Sequence, residues 1–118
     1  QGWALVAFAE KTGAEGDWNK AKAHFESIGP KYTGNEVVAA AVLNGVGRAL
    51  MEKDPREALM KFVRAEVVHY SARNEVARAL WLKAEAYKRL GGGTNRAAAD
   101  AALKELKEFY PDSIWAKK

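Results

Sequence analysis

The stretch Asp54-Pro-Arg-Glu-Ala58-Leu-Met-Lys-Phe62 decides the fold, because it specifies where a helix begins and which face it buries. Asp54 is a typical helix-capping residue, and Pro55 follows at the first helical position, where its missing N–H costs no hydrogen bond. Ala58 and Phe62 then lie about one turn apart on the same face. The small residue lets a neighbouring helix approach closely, and the ring fills the space beside it. The stretch therefore predicts one member of a tightly packed helix pair.

The same pattern occurs twice more along the chain. It precedes this stretch as Asp17-Trp-Asn-Lys-Ala21-Lys-Ala-His-Phe25 and follows it as Thr94-Asn-Arg-Ala-Ala-Ala99-Asp-Ala-Ala-Leu103. Another small residue lies upstream of each copy: Ala9, Gly47 and Ala84. Internal repetition with a period of 37 or 38 residues is typical of a helical solenoid, in which each helix pair packs on its neighbours.

The chain is predicted to be all-α, because helical periodicity dominates and no strand pattern of useful length occurs. We expect helices over about 2–12, 17–28, 36–53, 54–70, 75–90 and 95–109. These form a single domain, 1–118, with repeats over about 2–39, 40–76 and 77–113, and 114–118 would begin a further helix. The expected N-caps are Asp17, Asn35, Asp54, Asn74 and Thr94, with Asp112 or Ser113 before the last segment.

These repeats resemble the tetratricopeptide repeat family. The family's small residue of the first helix matches Ala9, Gly47 and Ala84, and the alanine of its second helix matches Ala21, Ala58 and Ala99. The resemblance implies a right-handed α-α superhelix. The third repeat and its tail, through Phe109-Tyr-Pro-Asp-Ser-Ile-Trp115, are similar to variants in bacterial envelope proteins, such as the Tol–Pal coordinator and outer-membrane assembly lipoproteins. This similarity implies the periplasm or cell envelope, although the cytoplasm remains an alternative.

The resemblance also implies where a partner would bind. In this family the first helix of each pair lines a concave groove, which accepts a peptide or protein segment. Carried over to this chain, the groove residues are Trp3, Val6, Glu10, Asn44, Arg48, Met51, Arg78, Trp81, Glu85, Lys88 and Arg89. Tryptophan and arginine are enriched at interface hot spots, and the arginines favour a partner with some acidic character. Where the family usually has a buried leucine, this chain has Lys83, whose stem we expect along the helix seam with its amine in water.

The residue inventory argues against catalysis and against cofactors. The chain has no cysteine, which excludes a thiolate metal site and a cysteine nucleophile. His69 and Ser71 lie too close in sequence to face each other on a helix, and no third group suggests a triad. Gly45-Val-Gly47-Arg48 follows a helical pattern rather than a strand, so it does not fit a nucleotide-binding loop. We therefore expect a non-catalytic interaction scaffold without metal or cofactor.

Two other binding modes remain as alternatives. Residues 41–118 carry fifteen Lys or Arg and ten Asp or Glu, an excess of positive charge that could bind nucleic acid or an anionic lipid surface. The chain also begins with Gln1 and places Trp3 near one end and Ile114-Trp115 near the other. We expect both ends to be cut from a longer protein. Apolar solenoid ends can stack on one another, so self-association is the second alternative.

Overall fold

The structure is a computed structural model that describes residues 2–118. It confirms the all-α class: the described residues form six α-helices and no strand. The helices are α1 (Gly2–Thr12), α2 (Glu15–Ile28), α3 (Glu36–Leu50), α4 (Pro55–Val68), α5 (Arg73–Leu90) and α6 (Gly93–Phe109), and a short 3₁₀ turn, Gly29–Tyr32, follows α2.

The helices make two kinds of contact, between consecutive helices and between alternate ones. Each helix contacts the next one along the chain, and in addition α1 contacts α3 and α3 contacts α5. The first helices of the three predicted pairs therefore adjoin one another in series. The second helix α2 packs between α1 and α3, α4 packs between α3 and α5, and α6 packs on α5.

Two of the predicted helix caps are confirmed. The Asn35 side chain accepts a hydrogen bond from the Val38 N–H at 3.1 Å, and the Asp54 carboxylate accepts one from the Glu57 N–H at 3.1 Å, with Pro55 next to the cap as predicted. These caps satisfy backbone donors that the first turn of each helix leaves free.

Three other predicted caps, Asp17, Asn74 and Thr94, are wrong by two or three residues, because their helices start earlier. Asp17 lies inside α2, where its carboxylate accepts a hydrogen bond from the Thr12 hydroxyl at 2.6 Å. Asn74 lies inside α5, which begins at Arg73. Thr94 lies inside α6, since Gly91 and Gly92, with φ angles of 74° and 87°, complete the turn before it.

The C-terminal segment 114–118 was expected to begin a further helix, with Asp112 or Ser113 as its cap. Residues 111–117 form turns rather than a helix. The Ser113 hydroxyl accepts a hydrogen bond from the Ala116 N–H at 3.1 Å, which is the capping bond predicted for Ser113. The turn brings Trp115 and Ala116 against the cluster of Val76, Leu80 and Leu106 formed by α5 and α6.

Small residues at the repeated positions set the distance between helices. The positions equivalent to Ala58, and those equivalent to Gly47, are all buried. A Cβ atom added to Gly47 would lie 2.5 Å from the Phe62 ring, and one added to Gly45 would overlap the Phe25 ring. Since both rings are buried, they have little room to move aside. The buried small residues are Ala9, Ala21, Gly47, Ala58, Ala84 and Ala99.

The seam between α4 and α5 contains an ion pair that the sequence did not predict. The Lys83 ammonium donates to both carboxylate oxygens of Glu66, at 2.8 and 2.9 Å, and both side chains are mostly buried. The expectation that this amine lies in water is therefore wrong. Glu66 comes from the neighbouring helix and supplies the partner that water would otherwise provide.

Replacement of Gly47 by alanine tests the close approach. We expect Gly47→Ala to lower the free energy of unfolding by about 1–3 kcal/mol, because the added methyl group overlaps a buried ring. Gly16→Ala is the matched control: Gly16 is also helical, but nothing lies within 4 Å of an added Cβ. That change should be neutral or raise stability by up to about 1 kcal/mol. Urea denaturation followed by circular dichroism measures both, and equal effects would contradict the packing.

Substitutions of Lys83 and Glu66 should have strongly non-additive effects on the free energy of unfolding. Glu66→Leu alone leaves a buried ammonium without its carboxylate, and we expect a loss of about 2 kcal/mol in unfolding free energy. Glu66→Leu combined with Lys83→Leu should recover most of that loss, since two apolar side chains suit the seam. Thermal unfolding of the two single variants and the double variant measures the coupling. A double variant as unstable as the sum of the single changes would argue against the pair.

Candidate functional site

The first helices of the three pairs enclose two adjoining clefts, which we call the central groove. The clefts have volumes of about 240 and 300 Å³, and they share Glu10 and Arg48 as a common wall. The first cleft is lined by Trp3, Val6, Glu10, Arg48, Arg78, Trp81, Leu82, Ile114, Trp115 and Lys118, and the second by Ala9, Glu10, Gly13, Trp18, Arg48, Glu52 and Arg89.

Arg48 holds the middle of the groove together. Its Nε and Nη2 atoms donate to Glu10 Oε2 on α1 at 3.2 and 3.0 Å, and Nη1 donates to Glu52 Oε1 at 3.2 Å. The guanidinium also lies 4.2 Å from the centre of the Trp18 ring on α2. Glu52 in turn accepts a hydrogen bond from Arg89 on α5 at 2.9 Å. One network of alternating charges therefore connects α1, α3 and α5.

Arg78 of α5 lies between two tryptophans that are far apart in sequence. Its guanidinium carbon is 4.0 Å from the centre of the Trp3 ring and 4.8 Å from that of Trp115. Nη1 also donates to the Glu75 carboxylate at 3.2 and 3.3 Å. Burial lowers the pKa of Arg78, and the charge of Glu75 opposes that effect. The group stays cationic near neutral pH, because an arginine begins so far above it.

Trp3 and Trp115 are therefore not apolar ends on opposite sides of the molecule. Trp3 packs edge-on against Phe25, with ring centres 5.2 Å apart, and its face meets Arg78. Trp115 reaches the same guanidinium from the C-terminal turn. Of the residues assigned to the two ends, Ile114 is the one whose side chain is largely exposed.

The structure brings most of the predicted groove residues together. Trp3, Val6 and Glu10 from α1 meet Arg48 from α3 and Arg78 and Trp81 from α5 in the first cleft. Arg89 lines the second cleft. Helices from all three repeats thus contribute to one surface.

Four predicted residues do not line the groove. Asn44 is fully buried, and its side-chain amide donates to the Glu75 carbonyl at 2.8 Å and to the Glu75 carboxylate at 3.0 Å. Met51 is buried too, and its sulfur accepts a hydrogen bond from Arg89 at 3.2 Å. Glu85 and Lys88 form a pair with each other at 4.0 Å, outside both clefts. Asn44 and Met51 are buried against α5 and therefore do not line the groove as predicted.

Several residues that line the clefts are not among the predicted groove residues, and three of them contact the groove cations or tryptophans. Trp18 is buried in the first pair, and it also lines the second cleft beside Arg48. Trp115 and Lys118 were expected to start a further helix, whereas the turn places Trp115 on Arg78 and the Lys118 ammonium 5.7 Å from the centre of the Trp81 ring. The local sequence carries no signal for such a turn, because these contacts join residues about forty positions apart or come from different helices.

The two histidines lie outside the groove and apart from each other. His69 pairs with Glu36 at the edge where α3 begins and α4 ends, and His24 lies beside the Phe25 ring. Within residues 2–118 no group of three histidines or carboxylates is arranged to hold a metal ion. Over the same described range, none of the helices combines the length and apolar character needed to cross a membrane.

Comparisons with protein-family models, with curated proteins and with solved structures give no significant match to this chain.

The contact between Arg78 and Trp115 predicts a measurable coupling. In a double-mutant cycle of Arg78→Ala and Trp115→Ala, we expect a coupling energy of about 1 kcal/mol, since the ring faces a partly desolvated cation. The control cycle pairs Trp115→Ala with Arg96→Ala, because exposed Arg96 is not among the residues stacked on this ring. Urea denaturation supplies the four stabilities of each cycle. Equal coupling in the two cycles would show that the stacking contributes nothing specific.

Proposed function

We propose that the chain is a tetratricopeptide-type solenoid, a right-handed α-α superhelix of three helix pairs. The burial of small residues at both repeated positions supports the proposal, as does the series of contacts from α1 to α3 to α5. In this arrangement the first helices form the inner layer and the second helices the outer layer. The two clefts then lie on the concave side.

The proposed function is that of a non-catalytic scaffold whose central groove binds a peptide or protein segment. The observation that carries it is the convergence of six predicted residues, from three separate helices, on one cleft: Trp3, Val6, Glu10, Arg48, Arg78 and Trp81. Such a surface combines aromatic faces with fixed hydrogen-bonding groups, which is the composition that interface hot spots favour.

The charges of the groove bear on the chemistry of the partner. Arg48 and Arg78 already have carboxylate partners, Glu10 and Glu52 for the first and Glu75 for the second. The groove is therefore close to charge balance. This favours recognition through aromatic and main-chain groups, with acidic side chains of the partner reaching the less enclosed Lys118 and Arg89. The likeness of the third repeat to bacterial envelope proteins makes the cell envelope the compartment we propose for that partner.

The other two binding modes have less support in this geometry. Six of the fifteen basic residues of 41–118 are held in ion pairs with carboxylates, which leaves the other nine to attract nucleic acid or lipid; the paired ones are Arg48, Lys53, Arg78, Lys83, Lys88 and Arg89. Stacking through the solenoid ends would use Trp3 and Trp115, and both rings are partly buried against Arg78.

Peptides selected from a phage-displayed random library test the groove. We expect selected peptides to bind Ile114→Glu at least tenfold more weakly, about 1.4 kcal/mol, because Ile114 is exposed and lines the first cleft. Phe109→Glu is the matched control, since Phe109 is similarly exposed but lies outside that lining. Fluorescence polarisation measures the affinities. Peptides that also lose affinity for Trp81→Ala would support the groove, and peptides indifferent to both groove variants would contradict it.

A salt titration of the same peptides tests the acidic character of the partner. An acidic sequence should be enriched in the selection and should lose affinity as ionic strength rises. Selected peptides without acidic residues, bound with little dependence on salt, would show that aromatic and main-chain contacts decide recognition.

A further inference from the structure

The outer face of α4 carries a row of exposed apolar side chains, which we call the α4 stripe. Met60 and Val67 are each 65% exposed, and Val63 between them is 36% exposed. The spacing of three and then four residues places them along one side of the helix, opposite the buried Ala58 and Phe62. Within the described structure, this side of α4 is not covered by another helix.

The repeats themselves show that packing does not require this stripe. When the copies are aligned on Ala21, Ala58 and Ala99, the other two repeats carry no large apolar side chain at the stripe positions, and one of the equivalents, Pro30, lies beyond the end of α2. The equivalents of Met60, Val63 and Val67 are Ala23, Glu26 and Pro30 in the first repeat, and Ala101, Lys104 and Glu108 in the third. The stripe is thus a property of α4 alone, and its exposure to water is unfavourable unless something covers it.

The charged residues around the stripe are mostly positive. Arg56, Lys61 and Arg64 lie on α4, and none of them forms an ion pair in the part of the chain that the structure describes. Of the two carboxylates on the same helix, Glu66 is occupied by Lys83, which leaves Glu57. The stripe is therefore an apolar ridge with a surplus of positive charge beside it.

We propose that the α4 stripe is a docking surface for an amphipathic helix of a partner protein, with an apolar ridge flanked by Asp and Glu. A ridge that extends over seven residues of helix is about 10 Å long and one side chain wide, which matches the ridge-and-groove contact between two helices. Binding to a bilayer surface draws on a broader apolar face than this single row. The unpaired cations complement acidic flanks.

This site is independent of the central groove. The stripe residues belong to α4, and no residue of α4 lines either cleft of the groove. The two proposals can therefore fail separately.

The test uses a synthetic helical peptide with a leucine ridge flanked by glutamates, and a second peptide in which lysines replace the glutamates. We expect the full chain to bind the acidic peptide, and Met60→Ser/Val67→Ser to weaken that binding at least tenfold. Ala101→Ser/Glu108→Ser is the matched control on α6, at the equivalent positions, and should bind as the unaltered chain does. Arg56→Glu/Arg64→Glu should also weaken binding, most strongly at low salt. Since all four α4 positions are exposed, these variants should remain folded.

Several results would overturn the proposal. One is equal binding of the acidic and basic peptides, and another is no detectable binding of the acidic peptide by isothermal titration calorimetry. Stripe-dependent sedimentation with anionic vesicles, without peptide binding, would show a membrane surface instead. A concentration-dependent mass by light scattering that Met60→Ser/Val67→Ser abolishes would show that the stripe covers a second copy of the chain. Loss of peptide binding in Ile114→Glu would place the peptide in the groove, which would leave the proposed function standing.

Discussion

The close contact between helices at Gly45 and Gly47 is the constraint on which the rest of the structure depends. Two aromatic rings, Phe25 and Phe62, occupy the space that side chains at these positions would fill. Both rings belong to second helices, and both glycines belong to α3. The middle helix is thus clamped between its two outer neighbours at a fixed distance, and that distance sets how near α1 and α5 come to each other across α3.

Arg48 and Arg78 link the helices that line the groove. Arg48 joins α1 to the end of α3, and through Glu52 it reaches Arg89 on α5. Arg78 joins α1 to the C-terminal turn through Trp3 and Trp115. The charges of Arg48 and Arg78 are balanced by carboxylates of the same chain. The groove therefore presents aromatic faces and oriented polar groups more than net charge. Free positive charge lies instead beside the α4 stripe, which gives the two surfaces different chemistry.

Local patterns predicted the fold well wherever a residue's environment depends on its own helix. The spacing of Ala58 and Phe62 established the buried face of α4, and Asn35 and Asp54 established where two helices begin. Prediction failed where a side chain's partner lies on a different helix or far away in the sequence. Asn44 was placed on the groove wall, but Glu75 on α5 occupies its amide, and the contact of Trp115 with Arg78 was not predicted. The same limit applies to Lys83, whose partner Glu66 lies on a neighbouring helix.

The sequence by itself determined the class of structure, the approximate positions of the six helices, the repeated small residues and most of the side chains that converge on the groove, because helical periodicity and side-chain size act over one or two turns. Only the tertiary structure decided that Trp3 and Trp115 share one guanidinium, that the groove cations are neutralised, and that the α4 stripe remains uncovered. These features depend on how far one helix lies from another and which faces meet. Contacts between residues far apart in the chain, here held by close packing at glycine and alanine, fix those distances.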